Sequence, residues 1–151
     1  MKEYISYSLE ETAQIAHEWI KDISAEPKSD GALIVGLSGH LGAGKTAFVK
    51  LVAKELGVRE EITSPTFVIM KMYPIEHPNW KRLVHIDAYR LEKSEELKAI
   101  NFEKFAADPG NLIMVEWPEN VELEKLFPRC RKIQFEIWDD KHHIKFSPST
   151  I

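Results

Sequence analysis

The segment that most constrains the fold of this chain is residues 39–46, GHLGAGKT, which we call the glycine-rich loop. It matches the pattern G-x-x-x-x-G-K-[ST] in full. Residues 32–37 before it are continuously apolar, which predicts a strand buried on both faces of a sheet. After it, from Lys45 to Leu56, apolar residues recur at helical spacing, and Gly57 provides a stop. The order of strand, glycine-rich turn and helix predicts a phosphate-binding βα unit.

Each residue type in the glycine-rich loop has a physical role in holding a phosphate. Glycines allow the backbone to approach closely and to turn its N–H groups inward. Lys45 can reach the β- and γ-phosphates, the Thr46 hydroxyl can ligate Mg²⁺, and the following helix presents its positive N-terminus. The predicted nucleotide contacts are therefore Gly39, His40, Leu41, Gly42, Ala43, Gly44, Lys45 and Thr46.

Two further apolar runs each end at a carboxylate. Residues 83–86 lead to Asp87, and residues 112–115 lead to Glu116. A phosphate loop of this type requires an acidic partner for Mg²⁺ at the end of a neighbouring strand. Either carboxylate could hold Mg²⁺ directly, hold it through water, or orient the attacking water. The spacing alone leaves these assignments open.

The remaining pattern alternates helices with strands. Residues 8–23 form a predicted helix with Ser8 as its N-cap, and Asn101 is a predicted helix end. Strands are predicted at 67–73, 82–86 and 112–115, and a closing hairpin at 131–138 and 143–146. This order predicts an α/β fold with a mostly parallel central sheet flanked by helices and a C-terminal antiparallel hairpin. We expect one domain over residues 1–151.

Composition excludes several classes of protein. Lys and Arg number 20 against 24 Asp and Glu, so the net charge is −4 and a general polyanion binder is disfavoured. Cys130 is the single cysteine, which excludes an intramolecular disulfide and a cysteine-based metal site. No apolar run approaches the ~18 residues of a membrane span, so we expect a cytoplasmic protein without membrane contact.

Two nucleotide-dependent classes are also disfavoured. The chain has no Asn-Lys-x-Asp segment to specify guanine, which argues against a GTPase. A nucleotide kinase needs a lid rich in arginine, whereas this chain has five scattered arginines. His85 shares a strand face with Asp87, and we expect it to be a hydrogen-bonded core histidine. Adjacent His142 and His143 point to opposite faces of a strand and are not expected to share a metal.

Four segments together resemble the TsaE (YjeE) family of bacterial tRNA-modification ATPases. They are the glycine-rich loop, SPTF at residues 64–67, HIDAYRL at 85–91 and VEWPE at 115–119, and an N-terminal EET at 10–12 also fits. The resemblance implies a P-loop NTPase fold and ATP hydrolysis in support of threonylcarbamoyladenosine formation in tRNA. It implies a complex with TsaB and TsaD, in which TsaD carries the transferase chemistry and tRNA is reached indirectly, through the complex.

The same resemblance implies ATP and Mg²⁺ as cofactors and roles for particular residues. It assigns Thr46 and Glu116 to Mg²⁺, and Asp87 to hydrolysis near the phosphates. The remaining implied positions are Thr66 in a switch-like loop near the γ-phosphate, Trp117 beside the site, and Thr12 near the base or ribose. Lys45, Thr66, Asp87 and Glu116 form the expected catalytic set.

The chain departs from the family pattern at two positions. His40 stands where the family usually has Asp, and it places a titratable group beside the phosphates. Asn101 stands where the family often has Gly, which is compatible with a left-handed helix end. A stand-alone P-loop phosphotransferase acting on a small molecule is the alternative function. The absence of a lid or a second cationic cluster from the sequence favours the partner-dependent ATPase.

Overall fold

A computed structural model describes residues 2–60, 62 and 69–147 of the chain. The described strands are β1 (Lys2–Ser6), β2 (Leu33–Ser38), β3 (Met70–Pro74), β4 (Arg82–Asp87), β5 (Asn111–Glu116), β6 (Arg131–Trp138) and β7 (Lys141–Ser147). The described α-helices are α1 (Leu9–Ser24), α2 (Lys45–Glu55), α3 (Phe102–Ala106) and α4 (Leu123–Leu126). Two 3₁₀ helices cover Ser94–Ile100 and Pro118–Val121. None of these helices combines the length and apolar character needed to cross a membrane.

The strands form one mixed sheet in the order β1-β7-β6-β2-β5-β4-β3. The four central strands, β6, β2, β5 and β4, are parallel to one another. The pairings β1–β7, β6–β7 and β3–β4 are antiparallel. The α/β class and the closing hairpin are confirmed, but the prediction of a mostly parallel sheet is wrong. Short connections such as residues 75–81 between β3 and β4 leave no length for a crossover helix, so these neighbours run antiparallel.

Two helix ends that the sequence predicts, at Ser8 and at Asn101, are confirmed. Ser8 is the N-cap of α1, and its Oγ accepts a hydrogen bond from the Glu11 backbone N–H at 3.2 Å. Asn101 adopts the left-handed conformation, with φ 56°, at the end of the 3₁₀ helix Ser94–Ile100. An asparagine can occupy this backbone region at modest cost, so it replaces the expected glycine without loss of the turn.

Several elements were not predicted from the sequence. Strand β1 carries the polar sequence KEYIS and becomes a strand by pairing along β7, with Tyr4 opposite Ile144. Helices α3 and α4 span 5 and 4 residues, too short for a helical period to be visible. These elements depend on tertiary contacts and have no strong local signal.

The two faces of the sheet are covered by different layers. Helices α1 and α2 pack on one face, where Trp19 and Phe48 join a core that includes Leu83, Leu112 and Met114. The short helices cover the other face of the central strands, with Leu97, Phe102 and Leu123 packed against Val84 and Val115. Because side chains alternate along a strand, His85, Asp87 and Glu116 lie on the face toward α2. The fold therefore brings the ends of β4 and β5 to the start of α2.

Candidate active site

The glycine-rich loop connects the end of β2 to the start of α2. Its three glycines all have positive φ, with Gly39 at 154°, Gly42 at 80° and Gly44 at 107°. A Cβ on Gly39 would lie 2.5 Å from the Phe135 carbonyl oxygen of β6, whereas a Cβ on Gly42 would meet no atom within 4 Å. Gly39 is thus required by close packing against the sheet. Gly44 is the N-cap residue of α2 and has no side chain that could cap the helix, so the positive end of α2 faces the loop.

Lys45 is the first residue of α2 and is buried, with 4% of its surface exposed. Its Nζ donates a hydrogen bond to the Gly39 carbonyl and lies 3.4 Å from the centroid of the Trp117 ring. Burial lowers the pKa of the Lys45 ammonium below its usual value, while the nearby carboxylates of Glu116, Glu119 and Asp87 act in the opposite direction. The ammonium is therefore held at the loop among carboxylates on adjoining elements.

Thr46 and Glu116 connect α2 to the end of β5. The Thr46 Oγ1 donates to Glu116, with distances of 2.8 Å to Oε1 and 3.1 Å to Oε2. The Glu116 Oε2 also lies 2.6 Å from Nε2 of His85 on β4. Glu116 is 2% exposed, so these contacts replace the water that a carboxylate would otherwise bind. The two residues predicted to share Mg²⁺ are in direct contact.

Asp87 lies beside this cluster because β4 and β5 pair in parallel register. Its Cα is the register partner of Glu116, and both side chains point toward α2. Asp87 Oδ1 accepts a hydrogen bond from the Tyr89 backbone N–H at 3.0 Å, which orients the carboxylate at the turn after β4. The two acidic residues that the sequence singled out therefore end neighbouring strands at one edge of the sheet.

A cleft of about 840 Å³ opens in front of these groups. It contains Lys45, Thr46, Asp87 and Glu116, and its other walls come from residues Leu41, Gly42, Gly44, Ala47, Ile69, Tyr89, Arg90, Leu91, Glu96, Ala99, Ile100 and Trp117. Trp117 has a left-handed backbone, with φ 59°, and its ring lies 5.2 Å from the Tyr89 ring. Among the described residues, the cleft lining thus combines one lysine, one arginine, hydroxyl groups and several carboxylates with apolar and aromatic walls.

Four described residues that the sequence predicts at the site, Thr12, Gly39, His40 and Ala43, do not line this cleft. Thr66 falls in the segment 63–68, outside the described residues. The hydroxyl of Thr12 is hydrogen-bonded internally, 2.6 Å from Ser6 Oγ and 3.1 Å from the Ser8 carbonyl. His40 is exposed and Ala43 is buried at 1% exposure. Their predicted nucleotide contacts stay predictions.

His85, predicted from the sequence to be a core histidine, lies next to the residues predicted to bind the metal. It is fully buried, as expected, but its hydrogen-bonding partner is Glu116. The sequence feature that pointed toward the site is the two-residue spacing between His85 and Asp87, which places both side chains on the same face of β4. The contact across strands could not be derived from that spacing, because it also depends on the register of β4 with β5.

The donor atoms at this edge fit a Mg²⁺ ion bound together with phosphate. Mg²⁺ prefers oxygen ligands and is commonly held by one or two protein groups plus substrate phosphates. Thr46 supplies a hydroxyl and Glu116 a carboxylate, with Asp87 on the adjoining strand. Among the described residues, no group of three or more His, Cys, Asp or Glu could form an all-protein metal cage.

Comparison with known proteins identifies the family of this chain. The model of the family described as threonylcarbamoyl adenosine biosynthesis protein TsaE matches residues 6–145. The chain belongs to the TsaE family. A relative from Aquifex aeolicus is 32% identical over 143 residues, covering 89% of this chain and 95% of its own length. The family resemblance inferred from the four sequence segments is therefore confirmed.

Other TsaE relatives and a solved structure extend the comparison. The Streptomyces coelicolor protein is 42% identical over 99 residues, which cover 65% of each chain, so the match spans just under two thirds of that relative. The Streptomyces coelicolor and Aquifex aeolicus proteins are both called tRNA threonylcarbamoyladenosine biosynthesis protein TsaE. The crystal structure of Bacillus subtilis YdiB superposes with a TM-score of 0.69 at 27% identity, covering 98% of this chain and 85% of YdiB.

Gly39 and Gly42 allow the packing of the glycine-rich loop to be tested. We expect Gly39→Ala to lower the free energy of unfolding by about 1–3 kcal/mol more than Gly42→Ala, because only the first adds a methyl group against backbone. Both substitutions place alanine at positive φ, so Gly42→Ala is the matched control for backbone strain. Urea denaturation measures the difference. Equal losses in the two variants would contradict the close contact with Phe135.

Proposed function

We propose that this chain binds Mg²⁺ and ATP in the cleft and hydrolyses ATP in support of threonylcarbamoyl transfer to adenosine in tRNA. Residues 1–151 would act as one P-loop NTPase domain located in the cytoplasm. Membership of the TsaE family supports the pathway. The cleft at the start of α2 supports the nucleotide chemistry, since a glycine-rich loop at a helix N-terminus favours phosphate binding.

The observation that carries the proposal is the convergence of Lys45, Thr46, Asp87 and Glu116 on one cleft. They come from α2, β4 and β5, which are distant in sequence. The fold thus gathers a cation for phosphate, a hydroxyl and two carboxylates within one continuous surface. Phosphoryl transfer needs mainly positioning and charge stabilisation, and these are the groups that provide both.

The contacts suggest a division of roles among the residues. Thr46 and Glu116 would hold Mg²⁺, because their oxygens are already adjacent and Glu116 is buried. Asp87, held by the Tyr89 N–H, would orient the attacking water or accept its proton. Lys45 would exchange its contact with the Gly39 carbonyl for phosphate oxygens. When bound, Mg²⁺ neutralises charge on the phosphates.

Lys45→Ala is expected to abolish detectable ATP binding, because it removes the buried ammonium at the loop. Titration calorimetry with Mg²⁺–ATP measures the effect. Lys50→Ala is the matched control, since Lys50 lies on the same helix with an exposed side chain. Unchanged affinity in Lys45→Ala would show that the glycine-rich loop is not the nucleotide site.

Glu116→Gln and Asp87→Asn are expected to separate metal binding from turnover. Glu116→Gln should weaken nucleotide binding in the presence of Mg²⁺, because it removes the ligand charge beside Thr46. Asp87→Asn should leave binding largely intact and lower turnover. Parallel calorimetry and phosphate-release assays distinguish the two, and each variant is a control for the other. The reverse pattern would exchange the two roles, and no effect from either would refute both.

We further propose that TsaB and TsaD are the partners and that tRNA is reached through the complex they form with this chain. The cleft is open to solvent beside the exposed Tyr89, so a protein partner could cover it. Arg90 lines the cleft and could contact either phosphate or a partner. P-loop NTPases can gain about 10³–10⁵ in rate when a partner supplies a cation or orders a switch loop.

We expect the isolated chain to hydrolyse ATP slowly and to hydrolyse it faster when TsaB and TsaD are added. A turnover assay at saturating ATP measures both rates. The same mixtures should contain no phosphorylated small product when hydroxylated acceptors are added. Equal turnover per chain with and without partners would remove the regulatory proposal and leave the ATPase proposal intact. A phosphorylated acceptor would favour the small-molecule phosphotransferase instead.

A further inference from the structure

His85 lies in the middle of β4 and makes a short contact with the candidate metal-binding carboxylate. Its side chain has no exposed surface, and its Nε2 lies 2.6 Å from Oε2 of Glu116. At that distance from a carboxylate oxygen, the Nε2 carries the hydrogen and donates. The contact joins β4 to the end of β5 beneath the cleft.

Glu116 is therefore held from two directions. Thr46 approaches from α2 and donates to both carboxylate oxygens, while His85 approaches from β4 and donates to Oε2. The terminal torsion of a glutamate is broad when nothing restrains it. With both donors in place, the plane of the carboxylate and the direction of Oε1 are determined by the fold.

Packing alone does not account for a histidine at this position. Among the described residues, none provides a hydrogen-bonding partner for the buried Nδ1 of His85. A buried polar atom without a partner costs free energy, and an apolar side chain of similar size would avoid that cost. The ring nitrogen of His85 that makes a hydrogen bond is Nε2, and its partner is Glu116.

We propose that His85 is a positioning residue that orients Glu116 for Mg²⁺ binding. The proposal rests on the proposed function, because it assumes that Glu116 is a metal ligand. Carboxylates that bind metals are commonly hydrogen-bonded by a further residue, and loss of that residue typically weakens metal binding about 10–100-fold. His85 acts through Glu116 and does not itself contact the nucleotide or the metal.

The test compares His85→Leu with His85→Gln. Leucine fills the space but cannot donate, whereas the glutamine amide can place an N–H near the position of Nε2. Calorimetry with ADP at increasing Mg²⁺ measures the Mg²⁺ concentration that gives half-maximal tightening of ADP binding. We expect this concentration to rise about 10–100-fold in His85→Leu and distinctly less in His85→Gln. ADP affinity without Mg²⁺ should change little in either variant.

His17→Leu is the matched control. His17 also pairs with a carboxylate, Glu55, but on an exposed surface formed by α1 and α2, away from the cleft. Its loss should leave the Mg²⁺ dependence unchanged. Equal Mg²⁺ dependence in wild type, His85→Leu and His17→Leu would overturn the positioning role and leave the proposed function intact. An equal rise in the required Mg²⁺ concentration in His85→Leu and His85→Gln would have the same consequence. A wild-type chain whose ADP binding ignores Mg²⁺ would overturn both.

A second measurement keeps the proposal testable if His85→Leu does not fold. Two-bond ¹H–¹⁵N NMR correlations report which ring nitrogen of each histidine carries hydrogen, and comparison with His85→Gln assigns the His85 signals. We expect an Nε2–H tautomer whose resonance shifts when Mg²⁺ is added to the ADP complex. An Nδ1–H tautomer, or an Nε2 resonance that Mg²⁺ leaves unchanged, would overturn the proposal.

Discussion

The parallel pairing of β4, β5 and β2 is the constraint on which the candidate site depends. In this register, Leu37 at the end of β2 is the partner of Glu116, and Glu116 is the partner of Asp87. Three strand ends therefore meet at one edge of the sheet, directly before the glycine-rich loop turns into α2. Carboxyl ends of parallel strands are where α/β proteins commonly place ligands, because the loops and helix N-termini converge there.

Three polar or charged side chains of the candidate site are buried. Lys45, His85 and Glu116 are all nearly inaccessible to water, so each needs partners within the protein. The Lys45 ammonium has the Gly39 carbonyl and the face of Trp117, while Glu116 has Thr46 and His85. Such polar clusters are costly to stability and are typical of functional sites. The arrangement is explained better by what it can bind than by its contribution to the core.

The antiparallel part of the sheet also supports the loop. The Nδ1 of His142 on β7 lies 3.4 Å from the Ala43 carbonyl, and Ser6 of β1 is the register partner of His142. Ser6 in turn contacts Thr12 at the start of α1. A continuous line of contacts thus runs from the edge strand to the glycine-rich loop. Thr12 therefore has a structural role in this line of contacts.

The sequence by itself determined the elements with strong local signals: the βα unit around the glycine-rich loop, the Ser8 cap and the left-handed turn at Asn101. It also singled out Thr46, Asp87 and Glu116, because residue type and strand-end position were enough. Only the tertiary structure decided the mixed sheet, the existence of β1 and the contact of His85 with Glu116. These depend on pairing register and on strands distant in the chain, and a periodicity of 2 or 3.6 along one segment carries no information about its neighbours.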